Sequence, residues 1–241
     1  MQPLNTNRLT LAAKTHQGLI RAHNEDAFFF KQSEGLFAVA DGLGGYHHGG
    51  FCSQMAIDLL DRDPALIGVT DANQIAEAIK DCNLVLINHQ KSSSEHKGMR
   101  TTMTCAAITS ENELIYAWAG DSRIYRFSRR DGLLQLTRDH TLLEERKQAG
   151  RSPQPGDGHI LTKSLGGNQV FEAARGHLQL EKGDIVLLST DGLTSVVSDR
   201  DIEAALRANQ PDLHETADVL VELALKEGGP DNITVLLCRT E

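Results

Sequence analysis

Two apolar runs in this chain end on the same dipeptide. Phe37-Ala38-Val39-Ala40 leads into Asp41-Gly42, and Ile185-Val186-Leu187-Leu188-Ser189-Thr190 leads into Asp191-Gly192. Short runs of this composition read as buried strands, and a glycine after them lets the backbone turn sharply or approach another group closely. Each pair therefore fixes a carboxylate at a strand end. Asp231-Asn232 opens a third such run, Ile233-Thr234-Val235-Leu236-Leu237. Three carboxylates at strand ends far apart in sequence have the chemistry to meet at a hard cation, which takes oxygen ligands. For any one Asp-Gly pair taken alone, a plain turn is the better account.

The rest of the chain supplies the scaffold. Strands are expected over about 8–14, 27–31, 35–40, 102–109, 113–119, 122–127, 173–180, 184–190 and 233–238, and the short gaps between several neighbours favour antiparallel pairing. Cys52, Met55, Ala56, Leu59 and Leu60 form one helical face, and Ile75, Ile79, Cys82, Val85 and Leu86 form another. Further helices are expected over about 200–208, with Ser198 as N-cap, and 214–226. Clustered strands and paired helices imply layers. With 241 residues, 40% of them hydrophobic, one sizeable core is within reach and a single domain spanning 1–241 is expected.

A net charge of −9 argues against nucleic-acid binding, which needs clustered cations. Neither a leader-like start nor a run long enough to span a membrane is visible, so a soluble, cytoplasmic protein without membrane partners is expected. Cys52, Cys82, Cys105 and Cys238 lie far apart and read as small core hydrophobes.

Upstream of the first Asp-Gly stands Arg21-Ala22-His23-Asn24-Glu25-Asp26. Taken in order with Val39-Ala40-Asp41-Gly42-Leu43-Gly44-Gly45, Thr101-Thr102, Ala119-Gly120-Asp121-Ser122-Arg123, Ser189-Thr190-Asp191-Gly192-Leu193 and Gly229-Pro230-Asp231-Asn232-Ile233-Thr234, it resembles the protein phosphatase 2C family of metal-dependent serine/threonine phosphatases. The resemblance runs from about residue 8 to about 239. It implies an α+β fold in four layers, α-β-β-α, with two packed antiparallel sheets flanked by helices. It also implies hydrolysis of phosphoserine and phosphothreonine by a water bridging two manganese or magnesium ions. By resemblance Asp41 bridges both ions, Asp191 and Asp231 complete one, and Glu25 with the Gly42 carbonyl serves the other, while Asp26 holds coordinated waters. Asp121, with Asp191, resembles a third and weaker metal position; an Asp stabilising the turn between two strands explains the same residue equally well. Two cations about 3.5 to 4 Å apart lower the pKa of a shared water and clamp phosphoryl oxygens. Arg21, four residues before Glu25, has the planar fork of donors that suits a phosphate, and its alternative is a surface salt bridge.

The proton donor to the leaving alkoxide is unassigned. Leu43 follows the first Asp-Gly where some family members carry histidine, and His47 and His48 are nearby loop candidates. His140, in Thr137-Arg138-Asp139-His140, reads as structural. Arg100 stands before Thr101-Thr102 where the family usually has glycine, so it either tolerates ordinary dihedrals or adds a positive group near the site. The segment 142–160 corresponds to a flap beside the active site, is short, and leaves substrate choice open. The expected partners are phosphorylated proteins, including a bacterial serine/threonine kinase and its substrates, met by a monomeric enzyme. The alternatives are a partner-switching regulator phosphatase and a catalytically weak phosphoprotein-binding module of the same fold.

Overall fold

Strands that are apolar on both faces need cover on both, and that requirement sets the architecture. The computed structural model describes residues 9–43, 48–92, 95–208 and 212–241. In chain order the elements are β1 (Leu9–His16), β2 (Asp26–Lys31), β3 (Leu36–Leu43), α1 (His48–Asp61), α2 (Ala72–Ser92), β4 (Arg100–Thr101), β5 (Met103–Ile108) and β6 (Glu113–Ala119). There follow β7 (Arg123–Ser128), β8 (Gly132–Gln135), α3 (Leu142–Gln148), β9 (Ala174–Gln179) and β10 (Ile185–Ser189). The chain continues through α4 (Asp191–Thr194), α5 (Asp199–Ala208), α6 (Leu213–Lys226) and β11 (Ile233–Thr240). One antiparallel sheet runs β1-β11-β10-β7-β8, and the other runs β2-β3-β5-β6-β9 with β4 paired to β3.

The two sheets pack face to face with helices outside each, as the family resemblance implied. Phe37, Val39, Ala106 and Trp118 of one sheet meet Ile124, Val186, Leu188 and Leu236 of the other in a shared core. The alternate residues of the same strands point outward: Ala38, Ala40 and Cys105 pack under Cys52, Leu60, Ile75 and Ile79 of α1 and α2. On the opposite side Ile185, Leu187, Val235 and Leu237 pack under Ile202, Leu206, Leu220 and Ala224 of α5 and α6. This period-two division explains why β3, β10 and β11 read as unbroken apolar runs. All four cysteines are buried free thiols.

Several expectations need correction. β3 does not stop at Ala40; it continues through Leu43 because β4 pairs with Gly42 and Leu43, so Asp41 lies inside a strand. The two-residue β4 and the edge strand β8 were not foreseen, nor were the short helices α3 and α4. Val85 is 39% exposed and leaves the inner stripe of α2, which Ile75, Ile79, Cys82 and Leu86 complete. Ser198 does cap α5: its hydroxyl accepts from the Asp201 amide at 3.2 Å. Arg100 has no left-handed backbone; among the described non-glycine residues only Asn112 has positive φ.

Candidate metal centre

Four strands, β2, β3, β10 and β11, deliver the acids to one edge of the sandwich. Asp26 opens β2 directly opposite Asp41 in β3. Asp191 is the first residue of α4, just past β10, and Asp231 precedes β11. The two sheets are joined there through Asp26, whose Oδ2 accepts hydrogen bonds from Thr190 Oγ1 at 2.9 Å and Thr234 Oγ1 at 2.7 Å. Asp41 is held by its backbone: its amide donates to Thr102 Oγ1 at 2.9 Å, and its carbonyl accepts from the Thr101 hydroxyl and the Thr102 amide, each at 2.8 Å.

The loop bearing Arg21 and Glu25 is pinned by one side chain. Asn232 Nδ2 donates to the carbonyls of Gln17 and His23, and Asn232 Oδ1 accepts from the Glu25 amide at 2.8 Å. Glu25 in turn accepts from the Gly50 amide at the start of α1. Close approach explains two glycines here. A Cβ on Gly49 would stand 2.8 Å from the Gly42 carbonyl oxygen and 2.9 Å from Glu25 Oε1, so both oxygens face one small space that a side chain would fill. A Cβ on Gly192 would lie 1.9 Å from the Asn232 carbonyl oxygen.

The electrostatics are those of acids gathered without a cation. Burial, offset by the Thr234 and Thr190 hydrogen bonds and reinforced by Asp191 and Asp231, pushes the Asp26 carboxyl up to about 7. Asp41 is driven well above the usual carboxylate range by burial and then by Asp26, Asp191, Asp121 and Asp231. Asp121 rises to about 7 through burial and Asp191, and burial with Asp231 raises Asp191. Asp26 Oδ1 and Asp191 Oδ1 are buried with no hydrogen-bond partner. Among the described residues no three acid, histidine or cysteine side chains close into a finished metal cage. Even so, orphaned carboxylate oxygens, mutual repulsion and an all-oxygen donor set fit a magnesium or manganese ion, whose charge counters the burial and repulsion that raise the pKa values.

Other expected residues have different surroundings. Arg21 Nη2 lies 2.7 Å from Asp231 Oδ2 and the side chain is half exposed; this hydrogen bond raises its pKa further. Asp121 follows Gly120, whose φ of 120° makes the tight turn between β6 and β7. Arg123 grips Asp139 through Nε and Nη2, which accounts for the Asp139-His140 pair. His140 Nδ1 accepts from the Gly120 amide and its ring stacks on Trp118; burial pushes its pKa down to about 4. The His48 ring lies edge-on to His96, and His47 lies outside the described residues. Thr102, Thr190, Thr234 and Asn232 carry the framework of the site, and sequence reasoning gave them no role. Their signal was their place inside the same motifs as the acids.

A sequence model described as protein phosphatase 2C matches residues 16–227. A Listeria innocua protein named serine/threonine phosphatase stp is 34% identical over 237 aligned residues, covering 93% of each chain. The serine/threonine protein phosphatase PstP of Mycobacterium tuberculosis is 36% identical, covering 95% of this chain and 44% of that one. The crystal structure of a PstP catalytic domain in complex with two manganese ions superposes with a TM-score of 0.85 at 33% identity, covering 98% of this chain and 99% of that one.

Proposed function

The chain belongs to the protein phosphatase 2C family, and we propose that it removes phosphate from phosphoserine and phosphothreonine in proteins, as the counterpart of a bacterial serine/threonine kinase. The observation that carries this reading is the pair of buried, unpartnered carboxylate oxygens on Asp26 and Asp191, amid acids that raise one another's pKa. Asp41 would bridge two manganese or magnesium ions, with Asp191 and Asp231 on one and Glu25 with the Gly42 carbonyl on the other. Asp26, fixed by Thr190 and Thr234, would orient waters around them. Asp121 and Asp191 would hold a third ion more weakly. When bound, two such ions supply an activated water and neutralise phosphoryl oxygens.

Arg21 would leave Asp231 to grip two oxygens of the substrate phosphate, which its planar fork suits better than a single carboxylate oxygen. Thr101 and Thr102 keep the Asp41 backbone in place while charge builds up beside it. The shared core of the two sheets supports reading 1–241 as one catalytic domain. No helix among the described residues is long and apolar enough to cross a membrane.

Hydrolysis of an aryl phosphate and of a phosphothreonine peptide tests the reading. Both activities are expected to vanish in chelator and return with manganese, and Asp191→Asn is expected to lose at least about a hundredfold in turnover. Full activity in chelator, or near-normal turnover by that variant, would overturn it.

A further inference from the structure

We propose that Arg100, with Lys163, forms a second anion site that reads an acidic group near the phosphorylated residue of the substrate; this rests on the phosphatase reading above. In β3, Asp41 follows Phe37 and Val39 on the face turned toward the other sheet, and Leu43 continues that face. Arg100 is paired directly with Leu43, and residues opposed across an antiparallel pair leave the sheet on the same side. Arg100 thus starts from the same face as Asp41, one strand across and two residues along. Those offsets are about 5 Å and about 7 Å. An extended peptide advances about 3.4 Å per residue, so the Arg100 backbone stands two or three peptide residues from a phosphate held at the acids.

The side chain is exposed and turned toward the strand of chain that follows the flap. Its guanidinium carbon lies 3.8 Å from where a Cβ on Gly167 would stand. There it lines a small cavity of about 80 Å³ together with Thr162, Lys163 and Ser164. Lys163 Nζ donates to the Glu172 carbonyl at 3.3 Å. Neither Arg100 nor Lys163 has an ion-pair partner among the described residues, and Glu172 is the one acid on the cavity wall. Two cations without carboxylate partners, on a chain of net charge −9 and at the edge of a phosphate-handling centre, suit an anion. Hydroxyls of Thr162 and Ser164 add donors. The anion is a carboxylate or a second phosphate of the same substrate, since both offer oxygens to a guanidinium.

The test compares phosphothreonine peptides carrying alanine, glutamate or a second phosphoserine two and three residues from the phosphothreonine. It uses the manganese-loaded enzyme, Arg100→Gln, Arg100→Lys and an aryl phosphate control. The unmodified enzyme is expected to favour the glutamate peptide over the alanine peptide by about fivefold in kcat/KM at low salt, and to lose that preference as salt rises. A larger preference for the doubly phosphorylated peptide would identify phosphate as the preferred anion. Arg100→Gln should remove the preference, Arg100→Lys should keep part of it, and aryl phosphate turnover should stay within about twofold throughout. Preference retained in Arg100→Gln, no preference in the unmodified enzyme, or equal losses on every substrate would each overturn the inference. Hydrolysis of aryl phosphate but of no phosphopeptide would instead overturn the protein-phosphatase reading on which it rests.

Discussion

Arg21 and Asp231 share an ion pair of 2.7 Å that an arriving phosphate has to break. The arginine is half exposed, so the pair is worth no more than about 1 kcal/mol, whereas two charge-assisted bonds to a phosphate are stronger. Exchange of partners is therefore downhill. Arg21→Ala is expected to raise KM for an aryl phosphate about tenfold with a smaller change in kcat, while manganese affinity measured by calorimetry changes little. A large loss of manganese affinity would make Arg21 a support for Asp231 instead. His140 gives a second prediction at this scale. Its folded pKa of about 4 lies below the ordinary value near 6.5, so the unfolded chain binds the extra proton first. Stability from this residue is complete above about pH 6.5 and is lost as pH falls toward 4, by on the order of 1–3 kcal/mol. Urea midpoints should fall less steeply over that window in His140→Gln than in the unmodified protein. Asp41, Asp191 and Asp231 stood out at the edges of apolar runs, whereas Arg21, Glu25, Asp26 and Asp121 were singled out by the motifs that carry the family resemblance. Thr190 and Thr234 were not, because threonine in or beside a strand is ordinary on propensity alone, and only the Asp26 carboxylate in the other sheet reveals what each hydroxyl does.

Among the elements, the flap shows most clearly what a pattern hides. Leu142–Gln148 forms α3, with Thr141 accepting from the Glu144 amide as N-cap, yet the Pro and Gly residues that follow gave the region the composition of a loop. The flap is folded onto itself: Arg146 Nε lies 3.0 Å from the buried carboxylate of Asp157, which also accepts from the Gln154 amide. Its ends are tied where the Leu142 amide donates to the Ile160 carbonyl and Thr141 bridges Leu161. Replacing Arg151 to Gly158 by a neutral linker removes the Asp157 anchor while leaving the acids untouched. Rates on phosphoproteins should change at least about tenfold more than rates on an aryl phosphate, in a variant whose circular dichroism shows it folded. Equal collapse of both would place the flap in the chemistry. The strands were readable from unbroken apolar runs, because both faces are covered. β8 was not, since it is an edge strand of four residues, and β4 exists only because Gly42 and Leu43 offer it a partner.

For the molecule as a whole, clustered strands and paired helices implied layers and the family resemblance gave their order, whereas strand order within each sheet depends on pairings that no local pattern records. Collecting acids at one edge has a global cost. Asp26 and Asp121 hold protons up to about pH 7 in the folded state but only to about 3.8 when unfolded. The metal-free fold therefore binds more protons than the unfolded chain between those values and loses stability as pH rises through that range. Manganese offsets the loss, so the increase in melting temperature on adding it should be larger at pH 8 than at pH 5, read by thermal denaturation. An equal increase at both would contradict the acid cluster as the metal's seat. One pairing also bears on synthesis. β11 lies between β1 and β10, and Asp231 and Asn232 stand immediately before it. A chain from which β11 has not yet emerged has its first sheet open down the middle, its Glu25 loop without the Asn232 clamp, and its acid cluster incomplete. The site is thus complete only once that strand has been threaded between its two neighbours, and a folding chain gains its acid cluster in a single step.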